Sequence, residues 1–377
     1  YPSMMMTSCL RFDVPAGGAA KSQHLMGQAV DMQFGSNLAD LYDIALWIRD
    51  NVAYDQLLLE YYTGKGKTTG WIHCSFNPNG NRPAGGAKVG TFMDHQVAKG
   101  KDGTPKWAYQ MLEGEDEGYF GPESAVWEVH GCVSTIIGGI RALLLQAAHP
   151  AALAGVAEHS RYESDPLGRL AGTTKWLTIT SFGATEVIEK EARRVNEMHS
   201  KVVGDYQGKD GQAHNYAAQD PEYLMWVHCA FTDAFLQTYI QLGYKFKTSA
   251  DQYVREWAKS AAPLGLSDAP KSVAELNAKL DYFRANALKA DARTFSVVGF
   301  ILKPPFSKLG LIPFRIFANA AIATLDVRER ELLGLKNKGQ IWLRISKVML
   351  QFLSAILGHE SPSQKFARQR IAKLRGQ

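Results

Sequence analysis

The stretch Gly138–Trp176, GGIRALLLQAAHPAALAGVAEHSRYESDPLGRLAGTTKW, decides how the chain is read. Apolar residues recur at helical spacing from Ile136 to Ala148, with Arg141 set inside the run. Pro150 has no backbone N–H to donate, so the helix that carries His149 must kink or end there. Arg141 and Pro150 also interrupt the longest candidate for a membrane span, CVSTIIGGIRALLLQAAHPAALAGVA, which leaves no transmembrane segment in the reading.

Outward from this stretch, helical periodicity continues through 169–181, 185–203, 222–242, 251–261, 273–288, 313–333 and 341–357. Toward the N-terminus the character changes. Up to about Phe76 short strand-like runs surround one amphipathic segment, SNLADLYDIALWIRD, with Leu38, Leu41, Ala45 and Ile48 on one side. Between them, from Asn77 to about Ser124, lies a stretch rich in Gly, Pro and charge. The expected fold class is mostly α: a small α+β domain over 1–85, a linker over 86–117 and a large all-helical domain over 118–377.

Composition sets outer bounds. A chain of 377 residues with 46% hydrophobic and 21% charged residues is an ordinary globular protein with room for two domains. Its net charge of +5 is small and dispersed, except in the tail SQKFARQRIAKLRGQ, which reads as the solvated face of a last helix. No nucleic-acid partner is expected. Cys9, Cys74, Cys132 and Cys229 stand far apart, which excludes C-x-x-C metal knuckles and covalent haem attachment and fits a reducing compartment. No export signal is visible, and the sequence assigns no compartment.

Two constellations carry chemistry. In SQHLMGQAVDMQF, strand alternation sets Asp31 opposite the stripe Val30, Met32 and Phe34, while Gly27 lets the chain turn His24 back toward that carboxylate. In GWIHCSF, His73 shares a face with Trp71 and Ser75, and Glu60 projects from DQLLLEYY. A small sheet holding these runs presents His24, Asp31, His73 and Glu60 on one side and packs its other side on the Leu38 to Ile48 helix. Two imidazoles and a carboxylate are the common protein ligands of a catalytic zinc, whose bound water a nearby carboxylate such as Glu60 deprotonates. Arg11 is the candidate contact for a substrate carboxylate or oxyanion.

The pattern S-x-H-x-x-G-x-A-x-D, then W-x-H, preceded by T-S-x-x-R, resembles the zinc D-Ala-D-Ala carboxypeptidase and phage endolysin peptidase family from about Ser3 to Arg82. That resemblance implies zinc held by His24, Asp31 and His73, Arg11 at the substrate, and a peptidoglycan peptide as substrate. Many relatives carry the catalytic acid three residues before the last histidine, where this chain has Gly70.

The second constellation lies in TEVIEKEARRVNEMHSKVV, where Val187, Ile188, Ala192, Val195, His199 and Val202 share one helical stripe. An imidazole on such a face needs a partner, either a side chain or a metal. His149, His159 and His228 have similar standing. The quoted stretch, followed by EARRVNEMHSKVVG and MWVHCAFTDAF, resembles the latex-clearing-protein family of rubber oxygenases and their MpaB-like relatives from about Gly118 to Leu335.

The oxygenase resemblance implies a helical protein that binds haem b non-covalently, with His199 as the iron ligand and Arg169 and Thr173 near the haem. Where rubber oxygenases carry a lysine before the distal threonine, this chain has Gly172. An apolar small molecule or isoprenoid is therefore the expected substrate rather than polyisoprene. The combined expectation is a haem oxygenase joined to a zinc peptidase-like domain. The alternatives are a zinc peptidase carrying a haemless helical structural or partner-binding domain, and a wall-binding module that holds peptide without cutting it.

Overall fold

The computed structural model describes residues 4–8, 29–34, 44–45, 48, 56–60, 71–75, 88–90, 106–159, 166–304, 306 and 308–376. The chain divides into two compact units, 1–106 and 107–377.

In the first unit, β1 (Met4–Ser8), β2 (Ala29–Phe34), β3 (Gln56–Glu60), β4 (Trp71–Ser75) and β5 (Lys88–Gly90) form one sheet in the order β1-β2-β4-β3-β5. The first four strands pair antiparallel, and β5 pairs parallel with β3. Leu57, Ile72 and Cys74 pack with helical Ala45 and Ile48, and Val30, Met32 and Ile44 complete this small core. The alternating apolar face is thus the one that meets the helix, and His73 and Ser75 on the opposite face of β4 are buried as well. Burial in this core pushes the Cys74 thiol up to about 11, so it stays an unreactive thiol.

The second unit begins with a 3-10 helix, Lys106–Leu112, inside the segment expected as linker. Its Ala108 and Met111 are buried. Then follow α1 (Ala125–His130), α2 (Thr135–Ala147), α3 (Pro150–His159), α4 (Pro166–Phe182) and α5 (Thr185–His199). A hairpin of β6 (Val203–Gln207) and β7 (Ala213–Ala217) comes next. The chain continues through α6 (Pro221–Gln241), α7 (Ala250–Trp257), α8 (Val273–Asn286), α9 (Ala292–Leu302) and α10 (Lys308–Thr324). It ends with α11 (Val327–Leu332), α12 (Ile341–Leu357) and α13 (Pro362–Leu374).

Pro150 acts as expected: α2 stops at Ala147, α3 starts at the proline, and the two axes bend by 103°. Among the described residues, no single helix is long and apolar enough to cross a membrane. Two boundaries differ from the periodicity. The helix expected over 185–203 ends at His199, and the chain enters the β hairpin, which departs from a purely helical domain. The helix expected over 313–333 is two helices, because Asp326 and Glu329 form a reciprocal capping box that starts a new one.

Helices α2 and α6 make the central contact of the unit, with α10 and α9 also packed on α2. Their close approach needs Gly138, where a Cβ would stand 2.6 Å from the ring of Phe235. Beside it Arg141, only 2% exposed, donates to Asp233 Oδ2 at 2.5 Å and lies 3.9 Å from Glu329. Glu329 in turn accepts from Arg284 at 2.5 Å. Two cations and two carboxylates from α2, α6, α8 and α11 thus neutralise one another inside the core. Burial and the neighbouring Glu329 push the Asp233 carboxyl up, against the opposing pull of Arg141 and Arg284.

Removing one member strands the others. Arg141→Met or Asp233→Asn is expected to cost about 3 to 5 kcal/mol in urea unfolding. A loss under about 1 kcal/mol, the scale of an exposed pair, would contradict a buried network.

Candidate functional site

Helices α4 and α5 form an antiparallel hairpin around Gly183 and Ala184. Its register is fixed by Lys175 Nζ, 2.7 Å from Glu191 Oε2. His199 lies eight residues beyond Glu191 and Arg169 six residues before Lys175, or about 12 Å and about 9 Å along the helices. The hairpin therefore carries His199, at the last turn of α5, toward the end of α4 that holds Arg169, while Thr173 lies only about 3 Å along α4 from Lys175. His199 and Thr173 are both half-buried.

The amphipathic stripe behaves as read at Val187, Ile188, Ala192 and Val195, all of them buried. The sequence reading did not single out Glu191, which is buried on this helix. Burial pushes its carboxyl up, but hydrogen bonds and charge from Arg194 and Lys175 outweigh that and leave its pKa below the ordinary 4.5. Lys175 is thereby held on α5. At Gly172 an added Cβ would meet nothing within 4 Å, so there is open space beside this turn of α4.

The other histidines separate by environment. His130 is sealed between Ser181 Oγ at 2.7 Å and Tyr253 Oη at 2.9 Å, and burial lowers its pKa to about 3, so it is a neutral packing residue. His159 lies near the surface and bonds the carbonyl of Val203 at 2.9 Å. His149 is 1% exposed and ringed by Tyr223, Trp226 and Phe283. Neither of its nitrogens has a hydrogen-bond partner among the described residues, and the same holds for Nε2 of buried His228. Burial lowers both of these imidazoles to about 4, so each is neutral at physiological pH.

A cleft of about 570 Å³ opens elsewhere on α5, lined by Tyr119, Glu189, Ala192, Arg193, Lys259 and Pro263. Glu189, Arg193 and Lys259 bring charge to it, and His199 is not among its lining residues.

In the first unit, the β2–β4 register sets Asp31 directly across from His73, and the β3–β4 register sets Glu60 across from Trp71. His24 and Arg11 lie outside the described residues. Among the described residues, no three His, Cys, Asp or Glu side chains are gathered as a metal site.

Comparison with known families matches residues 127–355 to the ER-bound oxygenase mpaB/B'/rubber oxygenase catalytic domain. No curated protein and no solved structure matches the chain.

The Glu191 cluster sets a pH dependence. Its carboxyl titrates below the ordinary value in the fold, so its stabilisation is complete above about pH 4.5 and is lost as pH falls through the folded value. Glu191→Gln is expected to cost about 1 to 3 kcal/mol near neutral pH and to flatten that part of the acid limb in urea unfolding. An unchanged acid limb would show that the cluster is not formed.

Proposed function

The chain belongs to the family of ER-bound oxygenases mpaB/B' and rubber oxygenases, and on that premise we propose that it uses haem b to oxygenate an apolar or isoprenoid substrate. Oxygenase activity of this type follows from a match that spans 127–355. The haem and the individual residue roles rest on the α4–α5 hairpin, which carries His199 on one helix and Arg169 and Thr173 on the other.

The residues present fit a haem. His199 is a half-buried imidazole at a helix end, and half-buried Thr173 on the neighbouring helix offers a hydroxyl. His199 would hold the iron. Haem b, when bound, supplies the dioxygen chemistry that no side chain possesses. Arg169 and Thr173 supply hydrogen-bond donors to negative charge that develops during the reaction. Lys175 is engaged by Glu191 at 2.7 Å. An apolar substrate keeps water out of the site, and in that dry setting the two donors act more strongly.

Purified full-length protein is expected to show a Soret band that His199→Ala abolishes. Thr173→Ala should keep the band and slow oxygen consumption with an isoprenoid by about 10- to 100-fold. A colourless wild-type protein, or a full band in His199→Ala, would overturn the reading.

A second reading concerns the first unit, as a zinc peptidase-like domain acting on peptidoglycan peptides through His24, Asp31 and His73, with Glu60 as base and Arg11 at the substrate. Its support is the strand register that pairs Asp31 with His73. Metal analysis is expected to find one zinc per chain in the wild type and none in His73→Ala, with any haem band unchanged. Wild-type protein without zinc would remove this reading and leave the oxygenase untouched.

A further inference from the structure

Helix α12 is apolar on both sides. Leu343, Ser346 and Leu350 are buried, and Ser346 Oγ donates to the carbonyl of Ile316 on α10 at 3.3 Å, so this face is the one packed in the protein. On the opposite face Ile341, Ile345, Val348, Phe352 and Ile356 are between 36% and 66% exposed. Their spacing of three and four residues puts them on one line about 22 Å long. Large apolar side chains scattered singly over a surface are ordinary, but an unbroken row of five marks a contact site.

The charges around the row say what covers it. From Glu331 to Glu360 the chain has no acidic residue between these two, while Lys336, Lys338, Arg344 and Lys347 are cationic. Arg344 is exposed and flanks the row about 80° from its midline. Lys347 lies farther round the same side, with Nζ 5.4 Å over the Tyr244 ring and 3.4 Å from the carbonyl of Gly243. Half-buried Trp342 stands near the start of the helix on the other side, and tryptophan is enriched at membrane interfaces. Between Glu331 and Glu360 the segment offers no carboxylate to pair with the cations of a second copy. An anionic bilayer takes the apolar row into its acyl boundary and offers phosphate and carboxylate groups to the basic edge.

We propose that α12 docks the protein on anionic lipid surfaces, lying in the interface rather than crossing it. Such placement delivers the protein to a phase in which apolar substrates concentrate, although the docking itself does not rest on the oxygenase reading.

The test is co-sedimentation of the full chain with vesicles of phosphatidylcholine alone or of equimolar phosphatidylcholine and phosphatidylserine. The wild type is expected to bind the anionic vesicles at least about tenfold more tightly, as two or more cations near a charged surface predict. High salt should weaken this preference. Phe352→Glu together with Val348→Glu should abolish binding to both vesicles, and Arg344→Glu should reduce only the anionic preference, with circular dichroism unchanged in each. Equal binding to both vesicles, or undiminished binding by the double variant, overturns the proposal. So does a dimer in vesicle-free solution that the double variant dissociates, which would assign the face to a second copy.

Discussion

The helical unit is organised around the cost of taking charge out of water. Arg141 stands within an otherwise apolar helix and is almost fully buried, so its place exists only because Asp233, Glu329 and Arg284 come with it from three other helices. That demand fixes how α2, α6, α8 and α11 meet. Glu329 serves twice, because the carboxylate that balances the arginines also accepts the backbone N–H of Asp326 and so starts α11. Once these helices are pinned, the α4–α5 hairpin has a firm body to project from.

A second constraint sorts the imidazoles. Burial strips histidine of its charge, and His130, His149 and His228 are all held neutral. A neutral ring is also the form that binds a metal, so protonation alone does not choose among them. Surroundings do. His130 is satisfied by Ser181 and Tyr253, and His149 is enclosed by three aromatic rings. His199 sits half-buried at a helix end, outside the sealed core that encloses the other two.

Much of this was legible in the sequence, and the exceptions have physical causes. The break at Pro150 followed from a missing N–H, and the buried stripe of α5 from its period. The β hairpin after His199 was not legible, since VGDYQ and AHNYA alternate too weakly to compete with the helical signal before them. The division at Asp326 was hidden because apolar periodicity runs across it, although the D-x-x-E spacing was the available cue. Arg141 was noted only as an interruption. A charge inside an apolar run implies a buried counter-charge, and Asp233 in the equally apolar MWVHCAFTDAF was the candidate that rule selects. For the first unit, alternation predicted which face packs on the helix, while His24 and Arg11 lie outside the described residues.

The proposed chemistry stands on one imidazole, His199, as the ligand of the haem iron. Near-infrared magnetic circular dichroism of the ferric full-length protein reads the axial ligand directly. A histidine-ligated spectrum is expected that survives His149→Ala and His228→Ala and disappears in His199→Ala. Survival in His199→Ala, with loss in either of the other two, would contradict it.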